Sequence, residues 1–498
     1  MNVNPITRLD YPDMDVIRVE DTYYMVSTTM HFMPGCEILQ SFDLVHWEHV
    51  NYVYETLDHT DAQQLKSGQN IYGQGMWAAS LRYHEDRFYI CFVANDTRKT
   101  YLYTSEKIDG PWKKQLIEGF YHDGSLLFDE DGRNYIVYGN DEIWITELNE
   151  DLTAPKKDGL HRLLVSDHKN PELGYEGSHI QKINGYYYIF LVHSLRDRWM
   201  RTEACFYSDS LEGEFTGGDV LCDDRGYCGQ GVAQGGIVDT PDGKWYAMLF
   251  QDSGAVGRIP ILLPVTWKDH FPFFGQNGHV PEEIEVHSTR PGYIYQPLVG
   301  SDDFCNGLLP RWQFNHDPDP RYYHLDALQG TYTITTREVC TELTQAVNTL
   351  TQRMSYPSCA AEVTVDASAL KEGDVAGLCA LQSCYAAVGI TKHHGKYEVL
   401  MLDKKEDGIL DMTEGTVVES HQMDFRLEAD FCNMKDEARC YYRVNKGDWL
   451  PIGNVHKLYF KLDHFTGCRF GLFCYAAEET GGSACFRDFK YYDVDEIS

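Results

Sequence analysis

Five residues recur at one place in a repeated pattern: Asp13, Trp77, Asp123, Glu176 and Gln234. Three carboxylates, a large aromatic and an amide are the inventory that cleavage of a glycosidic bond requires. One group protonates the leaving oxygen, another acts as base or nucleophile across the sugar, and an aromatic face carries the ring. A single Asp followed by turn residues is more often a solvated turn or cap than a catalyst. The weight therefore lies on the shared position, which needs a scaffold that gathers equivalent points of successive repeats.

That scaffold is written in the first three hundred residues. A strand, a turn containing Asp or Gly, and an aromatic pair opening a second strand recur at Val16–Tyr24, Leu81–Tyr89, Ser125–Tyr135, His179–Tyr187 and Gly236–Tyr246. Most copies are followed by a third element ending in an aromatic, as in Ser41–Trp47, Ser105–Trp112 and Ser208–Phe215. Repeats of roughly 45–65 residues with several antiparallel strands each predict propeller blades. The first strand of each blade lines the central channel. Counting back roughly ten to twelve residues from each aromatic pair, as a repeat register allows, reaches the five residues named above, which then converge at one mouth.

Beyond Gln296 the repeat is lost, and the polar stretch His316–Pro320 marks a boundary region. The remainder alternates short strands with Gly and charged turns, as a β-sandwich does. The expectation is an all-β chain: a five-bladed β-propeller over residues 1–297, then a concanavalin- or jelly-roll-like sandwich over 298–498. The 34 Tyr and 42 Gly, with few long amphipathic periods, favour the same class.

The balance of 76 acidic against 43 basic residues, a net charge of −33, repels nucleic acid and anionic membranes. A neutral oligosaccharide suits that field. Residues 1–10 carry no basic and apolar export signal, and no apolar run approaches the roughly 20 residues of a membrane span. Fifteen cysteines without a CxxC pair, most within apolar runs, read as reduced thiols, so the expected location is cytoplasmic. A monomer and a homo-oligomer are both open. Among other candidates, His122 could ligate a metal, position a sugar hydroxyl or make a structural hydrogen bond. Asp129-Glu130-Asp131 reads as a hairpin turn, since it lacks the spacing of a calcium loop.

The motifs carry a family likeness. Asn4-Pro5-Ile6, Asp10-Tyr11-Pro12-Asp13, Met76-Trp77-Ala78-Ala79, His122-Asp123-Gly124-Ser125, Glu176-Gly177-Ser178-His179, Gln234-Gly235-Gly236 and Gly257-Arg258-Ile259-Pro260 resemble glycoside hydrolase family 43, the β-xylosidases and α-L-arabinofuranosidases. Asp302-Asp303-Phe304 resembles the start of the sandwich in its xylosidase branch. The resemblance implies an inverting, exo-acting pentosidase with Asp13 as general base, Glu176 as general acid and Asp123 orienting Glu176 and tuning its pKa. It implies that Arg258 and Gln234 face the substrate, that Phe32 and Trp77 wall the terminal-sugar pocket beside His122, and that Phe465 of the sandwich caps it. Inversion requires the acting carboxyls about 6.5–9.5 Å apart, so Asp13 and Glu176 are expected not to touch.

The chain departs from the family at Met14 and Gly124, where Pro is common, and in the arginine-rich segment 196–201. It also departs at Gln234, where relatives carry a His that supports a central calcium or water cluster. No cofactor is therefore expected, with a structural calcium as the disfavoured alternative. The competing functional readings are a retaining fructoside hydrolase, whose carboxyls would stand about 5–5.5 Å apart, and a carbohydrate-binding propeller without turnover.

Overall fold

The computed structural model describes residues 2–493; Met1 and residues 494–498, the outer ends of the two expected domains, lie outside it. The chain is all-β, and its helical turns are three-residue 3-10 segments such as Lys66–Gly68. Five four-stranded antiparallel sheets form the propeller. Their first strands are Asp15–Val19, Met76–His84, Ser125–Phe128, Glu176–Ile183 and Val232–Asp239. Each opens into its second strand through the turn the repeat predicted. Glu85-Asp86 (φ 47° and 57°) and Asn184-Gly185 (φ 51° and 85°) take the paired left-handed conformation that suits a two-residue hairpin.

The ring is closed by the segment preceding blade one. Asn2–Val3 pairs with Glu283–Ile284 after blade five. Asn4 clamps blade five, donating to Leu262 O at 2.8 Å and accepting from Leu262 N at 3.0 Å. Tyr11 N donates to Arg258 O at 3.1 Å, which delivers Asp13 beside blade five. Apolar side chains of blades one and five, among them Val16, Met25, Val238 and Met248, bury this seam.

The second domain is a β-sandwich of a nine-stranded and a seven-stranded sheet. The larger sheet does not stop at the domain boundary: Phe32–Met33, a short strand inserted in blade one, pairs with Gln313–Asn315. Position 297/298 falls between Glu283–Ile284 and Gln313–Asn315, in a stretch without strands. Buried Arg353 of the sandwich bonds Glu37 of blade one at 2.7 Å and Asp10 O at 2.9 Å. Burial opposes ionisation of Glu37, but Arg353 and His49 overcome it and hold the carboxyl at about 2. None of the fifteen cysteines is in a disulfide, and no described helix is long and apolar enough to cross a membrane.

Candidate active site

The five residues converge at the mouth, but from two adjacent positions. Side-chain to backbone bonds run from blade to blade: Leu81 N to Asp15, Leu126 N to Ser80 and Ile180 N to Ser125, at 2.8–3.1 Å. They make Asp15, Ser80, Ser125 and His179 equivalent, with Gly236 in blade five by its pairing. Two residues earlier stand Asp13, Asp123, Gly177 and Gln234; three earlier stand Trp77, His122 and Glu176. The single register expected from spacing is thus corrected to two. The first strands of blades two, four and five each carry an extra residue, between Met76 and Ala79, Glu176 and His179, and Ala233 and Gly236, beside Trp77, Glu176 and Gln234. Such bulges re-aim side chains, here into the channel mouth. Asp13, Asp123 and Gln234 hold φ of 53°, 48° and 66°, a region non-glycine residues rarely adopt, whether or not their blade carries a bulge. Gly177 shares this conformation at φ 65°, and a Cβ there would lie 2.8 Å from Gln234 Cγ, so no side chain fits.

Each carboxyl is held asymmetrically. Gln234 Nε2 and Arg258 Nη1 both donate to Asp13 Oδ1, at 3.0 and 2.9 Å, and no described residue hydrogen-bonds Oδ2. Asn140 donates to Glu176 Oε2 at 2.6 Å, with His122 Nε2 at 3.5 Å, and no described residue hydrogen-bonds Oε1. No hydrogen bond joins Asp13 to Glu176. Asp123 is buried; its Oδ2 accepts the Gly177 N–H at 2.9 Å and lies 3.6 Å from His122 Nε2. Burial raises the Asp123 carboxyl most; His122 opposes the rise, Glu176 and Asp13 add to it, and the balance stands at about 6. Asp123 in turn, helped by Glu176 and Asp13 against burial, lifts His122 to about 9, so the imidazole is charged at neutral pH.

Arg258 is buried, bonded through its backbone N to Asp10 Oδ1 at 2.7 Å and stacked on Phe465 at 4.5 Å. Phe465 reaches the mouth from the sandwich, with its ring centroid 5.6 Å from Trp77, and Trp77 meets His122 edge-on at 5.8 Å. Phe32 does not join them. It packs among Cys340, Leu343, Cys379 and Phe473 with Arg469 3.5 Å over its ring, because its strand belongs to the sandwich sheet. The expectation that Phe32 walls the sugar pocket is therefore corrected: it is interdomain core.

Residues outside the repeat register complete the site. Asn140 ends the second strand of blade three, and Glu203, in the third strand of blade four, accepts the Gln234 N–H at 2.7 Å. Burial pushes the Glu203 carboxyl well above its ordinary value, against the single backbone N–H of Gln234. Neither occupies a repeated sequence position, so spacing alone could not find them. Among the described residues, His122, Asp123 and Glu176 form a group whose ligand atoms, all within 4.8 Å, could hold a metal ion.

Comparison with known proteins places this geometry. The profile of Glycosyl hydrolases family 43 matches residues 3–272, and that of the Beta xylosidase C-terminal Concanavalin A-like domain matches residues 301–492. A Beta-xylosidase of Formosa agariphila is 26% identical over 99% of this chain and 89% of its own length. A solved bifunctional GH43-CE protein of Bacteroides eggerthii superposes with a TM-score of 0.93 at 42% identity; the match covers 100% of this chain but only 64% of that one. A family 43 enzyme engineered to display both endo-xylanase and exo-arabinofuranosidase activity superposes with a TM-score of 0.86 at 27% identity, over 99% of both chains.

Proposed function

Since the chain belongs to glycosyl hydrolase family 43 and is a glycoside hydrolase, we propose that it removes terminal non-reducing pentose units, β-D-xylosyl or α-L-arabinofuranosyl, from oligosaccharides with inversion. The observation that carries this reading is the asymmetric holding of two carboxyls that share no hydrogen bond, Asp13 by Oδ1 and Glu176 by Oε2. Asp13 Oδ2 is left to take a proton from water as the water oxygen attacks the anomeric carbon. Glu176 Oε1 is left to deliver a proton to the glycosidic oxygen as the carbon–oxygen bond breaks. Proton gain at Asp13 matches proton loss at Glu176, and the new hydroxyl lies on the opposite face of the sugar.

Asp123 fixes the backbone that follows Glu176 through the Gly177 N–H, and both carboxyls face His122 Nε2, at 3.6 and 3.5 Å. Trp77 and Phe465 supply apolar faces for one sugar ring, and a pocket capped from the second domain favours terminal units. The reading needs no metal: His122 supplies positive charge between the carboxylates. The free thiols support a reducing compartment, where imported short chains would meet the enzyme. Proton NMR of the first product released from aryl β-xyloside and aryl α-arabinofuranoside tests the reading. An inverted anomer is expected; a retained one would move the mechanism to the covalent route.

A further inference from the structure

The arginine-rich segment 196–201 is where the chain leaves its family pattern, and the structure gives that segment a surface. A cavity of about 490 Å³ opens beside Glu176, lined by Trp199, Arg201, Phe460, Leu462 and Phe465. Asp13, Trp77 and Arg258 do not line it. Glu176 and Phe465 belong both to the mouth and to this cavity, which therefore adjoins the terminal-sugar site. A group that protonates the glycosidic oxygen stands at the junction of the bond being cut, so what lies beyond Glu176 receives the leaving group.

The cavity's walls are largely apolar, with Glu176, Arg201, Gln230 and Asp252 as their polar members, and come from both domains. Trp199 is 44% exposed, a large area for an indole, and Leu462 on the opposite domain is 75% exposed. Trp199 is not a loose surface residue. Arg201 stacks on its ring at 5.2 Å and is itself bonded to Asp252 at 2.8 Å. The turn carrying Trp199 is closed by Leu195 N to Met200 O at 3.1 Å and Met200 N to Ser194 Oγ at 2.8 Å. An aromatic face held rigid before a ligand arrives loses little freedom on binding one.

Building on the functional reading above, we propose that Trp199 and Leu462 form the leaving-group subsite and that its occupant is a second pyranose ring. The ring's C–H face lies on the indole while its hydroxyls reach the open rim. The two residues determine specificity on the acceptor side and take no part in proton transfer.

The test compares two substrates made from whichever glycosyl unit the wild-type enzyme cleaves: a disaccharide, and a glycosyl fluoride whose leaving atom does not reach the cavity. Trp199→Ala is expected to lower kcat/KM on the disaccharide about tenfold more than on the fluoride, through KM, as loss of one hydrophobic ring contact does. Trp199→Phe should restore most of the difference. Leu462→Asp, at an exposed position that does not endanger folding, should reproduce it in part. Equal losses on the two substrates, or none on the disaccharide, would overturn the subsite and leave the functional reading standing. A wild-type enzyme that cleaves no glycosyl unit would overturn both.

Discussion

Asp13 and Asp15 are two residues apart, both buried, and chemically opposite. Asp15, at the waist of the channel, has both oxygens occupied: Oδ2 by Leu81 N and Arg82 Nη1 at 2.8 and 2.6 Å, Oδ1 by His179 at 3.2 Å. Burial works against its charge, but Arg82 and His179 prevail and hold it at about 2. At the mouth, Asp13 keeps one oxygen free, and neighbouring Asp123, with one backbone donor and two other carboxyls nearby, is pushed up to about 6. Burial alone therefore does not make a carboxylate reactive. The number of donors aimed at it decides between a strut and a reagent.

Exchanging each acid for its amide should separate these roles. Asp13→Asn is expected to lower kcat on aryl pentosides about 10³-fold, the middle of the range for losing a general base, with little change in the urea midpoint. Asp15→Asn should do the reverse. Leaving Arg82 without its buried partner costs about 3 kcal/mol, read by urea unfolding, while kcat of the folded enzyme falls less than tenfold. If Asp15→Asn abolished turnover without loss of stability, the division between waist and mouth would fail.

The waist and the mouth also differ in how far the sequence disclosed them. Five blades were legible because each hairpin repeats a turn and an aromatic pair, and a period survives small changes of spacing. The offset between Asp13 and Glu176 was not, because the aromatic pair follows the turn directly at Tyr186 but one residue later at Tyr23, so equal counts back reach different positions. Phe32 was misplaced because its strand pairs with Gln313–Asn315, about 280 residues away in the chain, and local pattern carries no trace of that partner. Asn140 and Glu203 sit on second and third strands, where nothing repeats. Spacing thus located the residues on the inner strands and missed those that support them from behind.

A smaller change tests the electrostatics of the mouth. Asp123 is the main reason that His122 stays charged, so Asp123→Asn should bring the His122 titration, followed by NMR, down from about 9 toward 6.5 by at least about one pH unit. The sign for stability follows. A raised histidine contributes stability that is fully present below 6.5 and lost as the pH rises through about 9. The raised Asp123 carboxyl contributes likewise, but its share is lost earlier, between 3.8 and about 6. The decline of the unfolding midpoint between pH 6.5 and 9 should therefore flatten in Asp123→Asn. A His122 titration unmoved by the substitution would mean that Glu176 and Asp13 hold its charge without Asp123.

The smallest effect is expected where mouth and sandwich are joined. Asp10 Oδ1 accepts the Arg258 N–H at 2.7 Å, and Oδ2 accepts the Gly467 N–H at 2.8 Å, so one carboxylate ties the arginine that holds Asp13 to the loop that presents Phe465. The junction is tight: a Cβ on Gly467 would lie 2.1 Å from Val256 O, and Phe465 itself is held at φ 55°. Asp10→Ala removes both anchors without touching a reacting atom. KM should rise about fivefold, equivalent to roughly 1 kcal/mol, with a smaller change in kcat. A kcat loss matching that of Asp13→Asn would instead place Asp10 among the groups that set the chemistry of Asp13. The sandwich would then act on the reaction through Arg258, beyond capping the sugar with Phe465.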